Sequence, residues 1–240
     1  DSTCGSMDAD CTGFSTFRGY FSPGVGGEVP QRINESEHYV KKILALLGVI
    51  SVLALSGCGK VDSAATIGDI TISQASAQAT VDEVLAERGK VDTAGMQIQT
   101  GNALNRAQLR FTIVTTLFDE IAKELTLKIS ATEIEKTKAD LIAQSGGAEA
   151  LAKNLVAAEI APSNFDRYVR AIITSNKIQE ALLASGVDKA DVSSRVTQLI
   201  NAKAAELKVK VNPRYGTWDQ DTGDIVASDS AGSAVVPSGN

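Results

Sequence analysis

Residues 104–125 read LNRAQLRFTIVTTLFDEIAKEL, and Leu104, Ala107, Phe111, Val114, Phe118, Ile121 and Leu125 recur there at alternating steps of three and four. That spacing is the seam of an α-helix burying one face against partners, and Leu109, Ile113 and Leu117 widen the stripe. The stretch predicts a central helix of about two dozen residues, and a stripe of this width is core in the first instance rather than a binding site.

On its N-terminal side, Ala65–Ile72 alternates in hydropathy and is broken by Gly68-Asp69, which predicts a small strand-turn-strand. Ser73 is placed to cap a helix running to Arg88, which Gly89 would stop, and residues 89–101 read as a loop with Gly89, Gly95 and Gly101. On the C-terminal side, Ser130-Ala131-Thr132-Glu133 is a capping-box pattern opening a helix to about Gln144, followed by Gly146 and Gly147. A short helix is expected from Ala148 to about Ala158. Pro162 marks the start of another, with Tyr168, Ile172, Ile178 and Leu182 on its apolar side and Gly186 at its end. Asp188 is placed to cap a last helix carrying Val192, Val196, Leu199 and Ile200. Leu207–Val211 alternates strictly and predicts a strand closed off by Asn212 and Pro213. A lone two-stranded ribbon is marginal, so this strand is expected to pair with the one near Ile67 and join the two ends of the domain. The fold class is therefore mainly α: a helical bundle of six helices with a small β-ribbon, over residues 65–218. The stretch from Asp219 to Asn240 has no basic residue and is rich in Ser, Gly and Asp, which predicts a disordered tail.

Composition agrees with this class. The chain has 240 residues, 43% hydrophobic but only 5% aromatic, so its core must be built from small and aliphatic side chains, and Trp218 is the sole tryptophan. The net charge of −6 argues against nucleic acid as a partner, since phosphate neutralisation needs a basic surface. His38 is the single histidine and Cys4, Cys11 and Cys58 are the only cysteines, which leaves everything after Cys58 without imidazole or thiol. Most metal and nucleophilic chemistry is thereby removed.

The N-terminal third reads as an address rather than a fold. Lys41 and Lys42 precede an uncharged run, Ile43–Gly57, of 15 residues. That is shorter than the roughly 20 needed to span a bilayer, and it suits the h-region of a secretory signal over residues 40–57. Leu55-Ser56-Gly57-Cys58 resembles the bacterial lipobox, which implies that Cys58 is diacylated, becomes the first residue of the mature chain and anchors it outside the cytoplasmic membrane. Residues 58–64 are then a tether. Residues 1–39 precede the signal, and we read them as upstream sequence translated ahead of a true start at Val40. The alternative is that Cys4 and Cys11 form a small extracellular disulfide.

No catalytic constellation stands out. GxGxxG, P-loop, GxSxG and HExxH patterns are missing, and the neighbouring carboxylates Glu133 with Glu135 and Asp119 with Glu120 read as solvated helix faces. No catalytic residue, metal or cofactor is expected. The one dense unusual stretch is Asn212–Asp219, NPRYGTWD. Its Tyr215 and Trp218 read either as a C-terminal clamp folded back over the helices or as a peptide-contact patch, with the clamp favoured.

A lipobox, an Ala65-Thr66-Ile67-Gly68-Asp69 strand, a long central helix, several shorter ones and a closing helix-strand ending in Val211-Asn212-Pro213-Arg214-Tyr215-Gly216 resemble the N-terminal domain of SurA-type periplasmic chaperones and the short actinobacterial lipoproteins that carry it. The resemblance implies an extracytoplasmic, lipid-anchored chaperone that cradles apolar segments of unfolded exported polypeptides without nucleotide. Some members add a parvulin-type prolyl isomerase domain. Here only 29 residues follow Val211, too few for such a domain, so no isomerase activity is expected and the protein is not read as an enzyme. The alternative is a structural envelope lipoprotein that docks one dedicated partner.

Overall fold

The computed structural model describes residues 62–227, and they form a mainly α fold with a small antiparallel sheet. The lipidation candidate Cys58, the signal over 40–57, the extension 1–39 and the last part of the tail lie outside the described residues.

The chain enters through β1 (Ser63–Ile67) and turns at Gly68-Asp69 into β2 (Ile70–Ser73), with Ile67 opposite Ile70 and Ala65 opposite Ile72. Gly68 adopts φ 55, and its N–H donates to the Leu207 carbonyl at 2.6 Å, tying the turn to the far end of the chain. β1 also pairs antiparallel with β3 (Lys210–Val211), Ala65 opposite Val211, so the sheet order is β2-β1-β3. The two ends of the domain are thus joined as their alternation predicts. Ser63 and Ala64, expected in the tether, are already buried strand residues. The predicted strand 207–211 is shorter than expected. The Leu207 and Val209 N–H groups still bond to the Lys203 and Ala204 carbonyls at 2.9 and 3.0 Å, so the helix terminus consumes the donors that a ladder would need.

Six helices follow among the described residues: α1 (Gln74–Arg88), α2 (Gly101–Glu124), α3 (Ala131–Ser145), α4 (Ala148–Ala157), α5 (Phe165–Ala184) and α6 (Lys189–Glu206). Their starts are local chemistry. The Ser73 hydroxyl accepts from the Ser76 N–H at 3.0 Å at the head of α1. At the head of α3, the Glu133 N–H donates to the Ser130 hydroxyl at 3.2 Å and the Glu133 carboxylate accepts from the Ser130 N–H at 2.8 Å, a complete capping box. Asp188 occupies the N-cap of α6 but its side chain makes no capping hydrogen bond.

Helix α2 is the axis of the domain. Its seam residues Phe118, Ile121 and Leu125 are inaccessible to solvent, and they pack with Ile178 and Leu182 of α5, Val196, Leu199 and Ile200 of α6 and Ile67 of β1. Burial extends beyond the stripe to Thr115 and Thr116, whose hydroxyls donate back to the Phe111 and Thr112 carbonyls at 2.9 and 2.7 Å. Such back-bonding lets a helix be covered on several sides without stranding polar atoms.

The expected tail is corrected as well. Asp219, placed at the start of a disordered tail, instead ends β4 (Thr217–Asp219), which pairs with β5 (Asp224–Val226), Trp218 opposite Ile225. The Asp219 carboxylate accepts from the Asp221 and Thr222 N–H groups at 2.8 and 3.2 Å and shapes the turn. Ile225 is buried in the main core, and the buried Arg110 of α2 donates to the Gly223 carbonyl at 3.0 Å and faces Asp224 at 3.3 Å. These tertiary contacts order a stretch whose composition alone resembles a tail. The domain therefore runs at least to Val226.

Candidate functional site

Two buried groups of side chains stand apart from the main core, one of them Val81 and Val84 of α1 with Leu104 of α2 and Ala161. Phe111 of α2, Ile160 of the α4–α5 connection and Tyr168 of α5 form the other, ringed by the half-buried Leu141 of α3, Leu155, Ala158, Phe165 and Ile172. Three of the six aromatic side chains among the described residues, Phe111, Phe165 and Tyr168, meet here, in a domain otherwise poor in rings. Burial among apolar neighbours pushes the Tyr168 phenol up to about 12, so it stays neutral and acts as an amphipathic ring.

Helix α3 lies over this cluster and packs on α4 and α5, yet none of its side chains is fully buried. Its apolar residues reach the cluster only through partial cover, Leu141 being the one that packs against it and Ile142 being 37% exposed. Polar groups hold it instead. Glu133 pairs with Lys177 of α5 at 2.7 Å, Lys138 pairs with Asp166 at the head of α5 at 2.7 Å, and Lys177 also donates to the Lys128 carbonyl at 3.0 Å. Burial would raise the Glu133 carboxyl, but the hydrogen bonds from Lys177 and Ser130 outweigh it and hold it below the ordinary value. Hydrogen bonds to Asp166 and Glu135 hold the Lys138 ammonium above its own. The backbone is left-handed on both flanks of α3, at Thr126 (φ 56) before it and at Gly146 and Gly147 (φ 86 and 121) after it. Sharp turns there set the helix apart from the continuous body.

The floor of the cluster is positioned by a buried polar node. Between α4 and α5, Glu159 takes φ 59 and its carboxylate pairs with Arg88 of α1 at 2.7 Å, both side chains being under 10% exposed. The same carboxylate accepts from the Gln99 N–H, and the Glu159 carbonyl accepts from the Gln108 side-chain amide at 2.7 Å. Burial pushes the Glu159 carboxyl up, against the Gln99 N–H and Arg88, which pull it down. The node thus clamps Ile160, next in sequence, against Phe111, one turn along from Gln108.

Tyr215 and Trp218 lie elsewhere. Both are half-buried against the main core, with the Arg214 guanidinium 5.5 Å from the Tyr215 ring centre and Trp218 opposite Ile225 in the hairpin. The neighbouring carboxylates do not face one another across a cleft: Asp119 faces Arg170 at 3.7 Å, Glu120 pairs with Lys123 at 2.5 Å, and Glu135 pairs with Lys138 at 3.1 Å. Among the described residues, no group of three or more His, Cys, Asp or Glu side chains is placed to hold a metal, and no helix is long and apolar enough to cross a membrane. Sequence reading placed Phe111 on the seam of α2 and Tyr168 on the apolar side of α5 without separating them from the core. The concentration of rings at 165 and 168, against so few elsewhere, was the available signal.

No family model, curated protein or solved structure matches the chain.

Proposed function

We propose that this protein is an ATP-independent holdase, held at the extracytoplasmic face of the bacterial membrane by a diacylglyceryl group on Cys58, that shields apolar segments of unfolded exported polypeptides. The observation that carries this reading is that α3 caps an aromatic-rich cluster without burying a single side chain of its own. A cover held mainly by solvent-facing ion pairs exchanges readily for a client, because such pairs are individually weak and the apolar surface beneath is not specific for sequence. The resemblance to SurA-type N-terminal domains points the same way, and the 15-residue apolar run before Cys58 supplies the route to the envelope. The proposed action involves no bond chemistry, nucleotide or prolyl isomerisation.

The test is light scattering from a chemically denatured exported protein diluted into buffer with the purified chain, without ATP. We expect dose-dependent suppression, weakened when Phe165 is replaced by Asp. Absence of suppression at severalfold excess, together with one stoichiometric partner in a cross-linked pull-down, would replace the holdase by a lipoprotein module with a dedicated partner.

A further inference from the structure

We propose that the surface beneath α3 is a docking groove for an amphipathic helix of an exported polypeptide, and that α3 occupies it as an internal stand-in. The identity of the occupant as a client rests on the holdase reading; the groove itself rests on how α3 is seated.

Helix-in-groove recognition needs an apolar floor, a few anchor side chains at helical spacing and charges that fix direction. In the way α3 is held there is such a floor, one anchor packed on it and two charges. The floor is Phe111, Ile160 and Tyr168, with Phe165 and Ile172 on its rim. The anchor from α3 is Leu141, and the half-buried Ile134 lies two turns before it, on the same helix face. Direction is set by two charges on α5: Lys177 receives the carboxylate of Glu133, and Asp166 receives the ammonium of Lys138. Because the start of α3 meets the later part of α5 and its middle meets the head of α5, the two helices run in opposite senses.

The groove keeps its shape independently of its present occupant. Phe111 belongs to the central helix, Ile160 is pinned through Glu159 to Arg88 and Gln108, and Arg167 of α5 donates to the Thr116 hydroxyl of α2 at 3.1 Å. None of these contacts involves α3. An incoming helix with an acidic residue, a basic one five positions later and an apolar one three positions after that would meet Lys177, Asp166 and the cluster as α3 does.

The experiment uses a fluorescent peptide with the sequence of residues 130–145 and the full chain in three forms. In the unaltered chain, α3 competes at the high effective concentration of a covalently attached segment, so the peptide binds weakly. In the variant Glu133→Ala with Lys138→Ala, the stand-in is loosened while Lys177 and Asp166 remain, and we expect the peptide to bind at least tenfold tighter by fluorescence anisotropy. A peptide with the Glu133 and Lys138 positions exchanged should lose that gain. It should regain it on a third form that also carries Lys177→Glu and Asp166→Lys, a rescue that a merely unfolded variant cannot give. Equal binding of the peptide to the unaltered and loosened chains, or of both peptides to every form, overturns the groove. Aggregation suppression in the same samples separates the two claims. Suppression without charge-matched peptide binding overturns the groove alone, whereas peptide binding without suppression upholds the groove and overturns the client as its occupant.

Discussion

Replacing Gly216 by Ala should detach the C-terminal hairpin while leaving the helices folded. Gly216 sits at φ +131, a region closed to residues with a Cβ, and an added Cβ would overlap the Val226 carbonyl oxygen and lie 3.1 Å from Cγ2 of Ile225. The obstruction is backbone, so no side chain can swing away to relieve it. The least costly escape is for β4 and β5 to lift off. This gives up the burial of Ile225, 4% exposed, worth about 2–3 kcal/mol, and frees Arg110 from the Gly223 carbonyl into water, where its charge is again solvated. A total of about 3 kcal/mol corresponds to a fall in Tm of about 6–12 °C for a domain of this size. Because Trp218 is the sole tryptophan and lies in the hairpin, its emission reports the detachment locally, while far-UV circular dichroism follows the helices. We expect a red-shifted emission with near-native ellipticity. Gly95→Ala is the control: φ is +80 there, but nothing lies within 4 Å of the added carbon, so the cost should stay near 1 kcal/mol. Unchanged Trp218 emission and a stability within about 1 kcal/mol of the parent for Gly216→Ala would refute the reasoning.

Two further outcomes follow from the polar contacts around the candidate site. Arg88→Met leaves Glu159 buried without its cation and should cost about 3 kcal/mol in urea unfolding, with at least half regained when Glu159→Leu is added. Since burial already holds the folded Glu159 carboxyl above its ordinary value of 4.5, its protonated form favours folding, and the single variant should lose stability more steeply as the pH rises from 4.5. Glu133 has the opposite sign. Its folded carboxyl is held below 4.5, so its contribution is present above that pH and lost as the pH falls through the lowered value; Glu133→Gln should flatten that part of the stability profile relative to the parent.

Much of the fold was legible because local chemistry and tertiary packing agree. Ser73, Ser130 with Glu133, Gly146 and the Gly68-Asp69 turn each satisfy or release backbone groups within a few residues, so their sequence signatures translate directly into boundaries. The pairing of β1 with β3 was also accessible, since neither strand is stable alone. The hairpin from Thr217 to Val226 was not, because its order comes from Arg110, more than one hundred positions away, and from the place Ile225 takes in a core assembled by other elements. The candidate site was half legible. Periodicity shows that Phe111 and Tyr168 face inward, but not that they meet each other rather than the main core. That division depends on how α4 and the Glu159 turn approach α2. Nor can α3's pattern of Ile134, Leu141 and Ile142 reveal that it stops short of full burial, which is a matter of how closely two helices approach.

Site-specific photo-cross-linking decides the central claim most directly. A photoreactive residue in place of Phe165, on the rim of the aromatic cluster, is compared with one in place of Leu183, which is 46% exposed at the end of the same helix. During dilution of a denatured exported protein, we expect strong client adducts from position 165, displaced by excess unlabelled client, and few from position 183. Equal labelling at both positions, or adducts from neither, would contradict a client site beneath α3.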